Sequence, residues 1–141
     1  DIPRDTFLNI QESGYYTINH IAAKFIKKAH YTSAKLNRGE SEFERMKIEK
    51  EFIADFHAPF VKESWIKIGM KYMESITLPN GCSFVIGSVE LLVLPDQIIN
   101  ELGQLDLEAA MGVGISGLNT YYSMTKIDHF PYVRATEIPE F

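Results

Sequence analysis

The sequence predicts a mainly β protein: an antiparallel barrel or sandwich carrying short helical excursions. Three observations lead there. From Trp65 to Ile76 the residues alternate with period two. Ile66, Ile68, Met70, Tyr72 and Ile76 share one face, and Trp65, Lys67, Gly69, Lys71, Met73 and Ser75 share the other. From Cys82 to Leu94 both faces are apolar, with Phe84, Ile86, Leu92 and Leu94 on one and Val85, Val89, Leu91 and Val93 on the other. Such a strand calls for cover on both sides. Between them lies Leu78-Pro79-Asn80-Gly81, where Asn80-Gly81 can supply the positive φ angles of a tight hairpin. Two long neighbouring strands of this kind are expected to form the core.

The remaining elements follow in chain order. Asp5 or Thr6 can cap a short helix through Phe7, Leu8 and Ile10 that ends near Ser13-Gly14. Free N–H groups at its start, with Arg4 alongside, could make an anion site, although simple capping explains the same residues. Residues 15–18 are β-prone. Residues 21–30 read as a helix with Ala22, Phe25, Ile26 and Ala29 inward and Lys24, Lys27 and Lys28 on a solvated face. Residues 37–41 are a polar loop, and Ser41 with Glu44 has capping-box spacing. Residues 49–59 read as a connector anchored by Phe52, Ile53 and Phe56. After the hairpin, Pro95 ends the second strand. Residues 97–102 can form one helical turn stopped by Gly103, and residues 105–110 another short helix. From Met111 the chain is first glycine-rich and then aromatic, with Tyr121, Tyr122, Phe130 and Tyr132.

A length of 141 residues fits one domain, 1–141, able to bury a core. The net charge of -5, with no Lys/Arg stripe, argues against nucleic acid as a partner. No apolar run approaches the roughly 20 residues of a membrane helix. The first residues, Asp-Ile-Pro-Arg, lack signal-peptide character. The single cysteine, Cys82, excludes an internal disulfide framework and predicts a reducing cytoplasm. Cys82 itself reads as a small core residue. The histidines at 20, 30, 57 and 129 lack metal-ligand spacing.

Residues 112–117, Gly-Val-Gly-Ile-Ser-Gly, match the G-x-G-x-x-G pattern, and Glu137 lies twenty residues further on. The context is wrong for a dinucleotide turn. The motif follows a helical stretch rather than a strand, and too little chain remains for a doubly wound sheet. It reads as a flexible or tight loop. No serine has a nucleophile-elbow setting. Residue patterns alone therefore end at a β-rich domain without a catalytic constellation.

Several fragments, in order, add to this. They are Arg4-Asp5-Thr6-Phe7-Leu8-Asn9-Ile10, Ser13-Gly14-Tyr15-Tyr16-Thr17-Ile18-Asn19, Glu42-Phe43, Pro59 to Ser64, Phe84-Val85-Ile86-Gly87-Ser88-Val89, Gly103 to Asp106, Gly117 to Tyr122, and Phe130 to Arg134. The ordered set resembles the flavin reductase family, which adopts the FMN-binding split barrel. The resemblance spans the whole chain. It implies an antiparallel split β-barrel and a homodimeric oxidoreductase moving a hydride or electrons between NAD(P)H and FMN. Arg4, Asp5 and Thr6 would help hold the FMN phosphate, and Gly117, Asn119 and Tyr121 would lie near the flavin or the dimer interface.

There are two departures. Family members carry a segment before the Arg-Asp-Thr motif, so the chain looks truncated at its front relative to them. Many also carry Gly-Asp-His before the strand that contains Ile86-Gly87, where this chain has Asn80-Gly81-Cys82-Ser83. That leaves two alternatives: a flavin- or haem-binding split barrel without turnover, or a cofactor-free interaction domain.

Overall fold

The structure is a computed structural model that describes residues 5–141. Its first element is α1, Asp5–Ser13. The helix stops where Gly14 takes a φ of +74°, a conformation that glycine adopts without a Cβ penalty. The Gly14 N–H still donates to the Ile10 carbonyl at 2.9 Å. Of the three apolar residues expected to face inward, Ile10 is buried and Phe7 and Leu8 are half-buried.

Seven strands follow: β1 Tyr15–Asn19, β2 Lys50–Glu51, β3 Phe60–Val61, β4 Lys67–Thr77, β5 Ser83–Val93, β6 Val113–Ser116 and β7 Thr120–Ser123. Every pairing is antiparallel. The main sheet has the order β1-β4-β5, while β2-β3 and β6-β7 form two smaller ladders. The long hairpin β4–β5 therefore sits where the alternation and the turn placed it. Its turn differs in detail from expectation. Only Gly81 takes a positive φ, +79°. The Gly81 N–H donates to the Leu78 carbonyl, and the Leu78 N–H donates to the Cys82 carbonyl. Asn80 contributes its side chain instead, accepting the Cys82 N–H at 3.0 Å. This is a tight turn closed by a left-handed glycine, a common three-residue hairpin solution.

Two irregularities shape the hairpin. Gly69 faces Leu91 and Met70 faces Val89, so Glu90 is an extra residue on β5. Tyr72 faces Gly87 and Glu74 faces Ile86, so Met73 is extra on β4. Such bulges break simple alternation and bend the strand locally. The Glu90 bulge brings Val89 and Leu92 to one face although they are three residues apart.

The core does not run along the hairpin. It lies at the start of β4, where Ile66, Ile98 and Ala110 are buried together against Trp65, Ile68 and Leu94. Phe60 is fully buried beside Phe56, with ring centroids 5.4 Å apart. Phe84, Val89 and Leu92 are more than half exposed. The two-sided cover expected for β5 is thus not supplied by the described residues. Cys82 is also exposed rather than in the core, because the tip of the hairpin, Ser83 and Phe84 included, extends past the residues that cover it.

Several local expectations are corrected. Residues 23–25 form a 3₁₀ turn before α2, Ile26–Tyr31, with Ala22 and Phe25 buried as expected. Lys28 is not merely solvated, since its Nζ donates to the Lys47 carbonyl at 2.8 Å and reaches Glu63 at 3.4 Å. Helix α3, Glu42–Arg45, starts after Ser41 without a side-chain cap, so the capping box does not form. Phe52 is exposed and anchors nothing. A 3₁₀ turn at Asp96–Ile98 replaces the helical turn expected at 97–102. Residues 105–110 form turns rather than a helix. There the Asp106 carboxylate accepts the N–H groups of Glu108 and Ala109 and its carbonyl accepts the Ala110 N–H, as a helix cap does, but the turn ends at once where Met111 takes a φ of +50°. The glycine motif at 112–117 is strand β6 and its turn, with Gly117 at a φ of +61°.

Candidate functional site

β1 is an edge of the main sheet. Gly14 accepts from the Tyr72 N–H, and the His20 N–H donates to Ile66. The even-numbered residues of β1 therefore exchange hydrogen bonds with β4, and the odd-numbered backbone groups turn away from that ladder. Tyr15, Thr17 and Asn19 all line an open groove of about 790 Å³ beside this edge. Helix α1 lines another part of it, and the segment around Arg38, Gly39 and Phe43 a third.

A small polar network ties the groove together. Thr17 Oγ1 donates to the Pro59 carbonyl at 2.8 Å. Asn19 Nδ2 donates to Thr17 Oγ1 at 2.9 Å, and Asn19 Oδ1 accepts the Val61 N–H at 3.0 Å. These bonds hold β3 against β1. The other rim is fixed by Glu40, whose Oε2 accepts both the backbone N–H and the side-chain Nδ2 of Asn37 at 2.9 Å. Those two donors hold the Glu40 carboxyl below its usual range. Outside the groove, Tyr15 stacks on His57 with centroids 4.2 Å apart, and Phe56 lies across Gly69, where a Cβ would meet its ring at 2.8 Å.

Asp5 and Thr6 line this groove from the first turn of α1, where helix N–H groups lack intrahelical partners. Arg4 lies outside the described residues. Gly117, Asn119 and Tyr121 are elsewhere, on the β6–β7 hairpin, and do not line the groove. Gly117 and Asn119 are exposed at its tip. Tyr121 is half-buried, its hydroxyl 3.2 Å from His30 Nδ1 on α2. The structure thus brings Asp5 and Thr6 together and leaves the other three on a second element. Arg38, Phe43 and the three odd-numbered residues of β1 escaped sequence reasoning as groove residues. For β1 the usable signal was the Tyr-x-Thr-x-Asn alternation, which puts two polar side chains on one face of an otherwise apolar strand.

The charged lining is mixed. Asp5, Glu12, Glu40 and Glu42 stand against Arg38 and Lys50. The start of α1 is the part of the lining where the helix dipole favours negative charge. Among the described residues no group of three or more His, Cys, Asp or Glu side chains is placed to hold a metal ion. No helix among them is long and apolar enough to cross a membrane.

Comparison with known proteins gives the following. Residues 1–104 match the flavin reductase like domain. No curated protein matches the chain. Among solved structures, a split-barrel protein of the flavin reductase type from Shewanella frigidimarina NCIMB 400 is 43% identical, with a TM-score of 0.87, over 91% of this chain and 65% of its own. Nitrilotriacetate monooxygenase component B from Bacillus cereus is 22% identical, with a TM-score of 0.79, over 91% of this chain and 65% of its own. Flavoredoxin of Desulfovibrio vulgaris (Miyazaki F) is 19% identical, with a TM-score of 0.76, over 90% of this chain and 68% of its own. The last two show the fold alone: a split barrel with mainly antiparallel strands and a few helices. The chain spans just under two thirds of the length of the first two.

Proposed function

The chain belongs to the flavin reductase-like domain family, and from that premise we propose that it is an FMN-binding oxidoreductase. It passes a hydride or electrons between NAD(P)H and flavin, as a cytoplasmic homodimer. The single observation that carries this reading is the groove beside β1. It is large enough for a cofactor, and it is lined by Asp5 and Thr6 of the family-like Arg-Asp-Thr segment.

The groove fits FMN in three respects. The first turn of α1 offers N–H groups and a favourable dipole to a phosphate, and Arg4 adds the charge that the acidic lining lacks. Phe43 belongs to the lining, as suits a planar ring system. The free edge of β1 presents backbone donors and acceptors at Thr17 and Asn19 to the polar edge of a ligand. Gly117, Asn119 and Tyr121 are assigned to the far side of the flavin or to the dimer interface.

Bound flavin supplies the hydride and electron chemistry, so the protein needs no acid–base pair of its own. Its residues bind, orient and shield. Arg4, Asp5 and Thr6 hold the phosphate end. The Thr17–Pro59 and Asn19–Val61 bonds keep the groove wall in one shape, so that little ordering remains to be done on binding.

The test is an absorption spectrum of the full natural protein and of this chain, followed by FMN titration and then by NADH or NADPH under anaerobic conditions. Flavin bands that bleach on nicotinamide addition support the reading. A full-length protein that ignores FMN removes it. A second reading, a flavin or haem carrier without nicotinamide turnover, draws on residues 80–83. The Asn-Gly-Cys-Ser stretch forms the hairpin tip and the first residue of β5, and it carries no histidine. Bands that nicotinamide does not bleach favour it.

A further inference from the structure

The turn at the tip of the long hairpin carries a chemistry that the flavin reading does not use. Residues 76–84 are all exposed, and none of them lines the groove or joins the core. Asn80 and Gly81 sit at the end of this projection. The bond that matters runs from the Cys82 N–H to Asn80 Oδ1, at 3.0 Å. An asparagine oxygen that accepts from the residue two positions on closes a ring around the peptide between them. Here the nitrogen of that peptide belongs to Gly81. The Asn80 amide carbon is therefore kept beside the backbone nitrogen that can close a five-membered ring with it. The same bond draws electron density from the amide carbonyl, so its carbon is a better electrophile.

Gly81 leaves its nitrogen open. It has no side chain of its own, and a Cβ built there would meet nothing within 4 Å. What opposes attack is one hydrogen bond, from the Gly81 N–H to the Leu78 carbonyl at 2.9 Å. It lies at the exposed end of a ladder, where local opening costs far less than global unfolding.

The other five asparagines do not combine these features. Ile10, His20, Arg38, Glu101 and Thr120 follow them, and each puts a side chain next to the attacking nitrogen. Asn19 is held at both ends of its amide, by Thr17 and Val61. Asn100 offers the nearest comparison, since its Oδ1 accepts the Leu102 N–H at 3.0 Å with the same two-residue reach. A second donor, the Gln104 N–H, holds the same oxygen at 2.9 Å.

We propose that Asn80-Gly81 is a self-modification site of the folded protein. The Gly81 nitrogen bonds to Asn80 Cγ, the Cγ–Nδ2 bond breaks, and ammonia leaves with the displaced Gly81 proton. Water then opens the cyclic imide at either carbonyl, giving aspartate or isoaspartate. One water is consumed and one ammonia released; nothing is oxidised or reduced. Either product makes the net charge of -5 one unit more negative. Isoaspartate also routes the backbone through Cβ, adding an atom to the turn that the Leu78–Cys82 bond closes. The inference is independent of the flavin reading.

The experiment ages the full chain, kept reduced, at mildly alkaline pH under gentle warming. Isoelectric focusing, peptide mass spectrometry and labelling by protein isoaspartyl methyltransferase follow the products. An acidic form that focuses with Asn80→Asp is expected, with a gain of one mass unit on the tip peptide. Asn80 is expected to react at least about 10-fold faster than Asn100 in the same sample, and Gly81→Ala to slow it at least about 10-fold. Circular dichroism checks that the variant is folded, and the Asn100 comparison needs no variant. An Asn80 rate no greater than that of Asn100 overturns the proposal. So does modification seen only after unfolding in urea, or an unchanged rate in folded Gly81→Ala.

Discussion

Replacing Gly87 by alanine probes how the main sheet is packed. The backbone there is not in the left-handed region, so the glycine provides room rather than conformational freedom. An added Cβ would lie 2.5 Å from the Tyr16 hydroxyl oxygen and 3.1 Å from its Cζ. It would also lie 2.8 Å from the Lys71 carbonyl oxygen. The ring tip can move; the backbone of β4 gives way less easily. Overpacking of this kind costs about 1–3 kcal/mol, and two simultaneous contacts place Gly87→Ala at the upper end, about 2–3 kcal/mol. For a chain of this length that lowers Tm by about 10 °C. Adding Tyr16→Ala removes the first contact and leaves the second. A double-mutant cycle should therefore show a favourable coupling of about 1 kcal/mol between the two sites. Thermal and urea melts of the four proteins measure it. An unchanged Tm for Gly87→Ala, or strictly additive effects in the double variant, would refute the packing argument.

Lys67 is nearly buried, and its Nζ contacts Glu51 at 2.5 Å and the Lys62 carbonyl at 3.3 Å. Glu51→Gln removes the counter-charge and should cost about 2 kcal/mol, less than for a fully buried pair because Glu51 is about a third exposed; urea unfolding reads it. The Lys62 ammonium holds the Glu49 carboxyl below its usual range, and Glu49 raises Lys62 in turn. A depressed carboxyl adds stability that is present above its unfolded value and fades as pH falls through its folded one. A raised lysine adds stability that is present below its unfolded value and fades as pH rises through its folded one. Glu49→Gln should therefore flatten the acid side of a Tm–pH profile as pH falls below about 4.5 and leave its mid-range shape unchanged. Arg4→Ala should weaken FMN binding about 10-fold or more, the loss expected of one charged phosphate contact; equal affinity by fluorescence titration would take Arg4 out of the phosphate site.

The hairpin and β1 were legible because their physics is local. Period-two alternation marked β4, and a proline–asparagine–glycine turn fixed where the chain reverses. What was not legible depended on competition or on distant cover. Residues 105–110 have the spacing of a helix, and Asp106 caps a first turn, but the left-handed Met111 ends it before a second can form. The β6–β7 hairpin was hidden because Gly112, Gly114 and Gly117 dilute the strand pattern. Cys82 looks interior from the apolar run that follows it, but the hairpin tip, Ser83 and Phe84 included, lies beyond the core. Of the site, the Asp5–Thr6 turn could be read from helix-start chemistry. The groove itself could not, because Arg38 and Lys50 approach α1 only through tertiary packing.

The exposed tip of the long hairpin has a practical consequence. Cys82 is the sole cysteine of the chain and lies in open solvent. Two molecules meeting in air can be joined there by a covalent bridge that involves no packed interface. A doubled mass is therefore meaningful only when it survives a reducing agent. The same thiol accepts a single fluorescent label at one defined place, outside the groove lining. Energy transfer between labelled copies would then report how close the two tips come in an assembled pair.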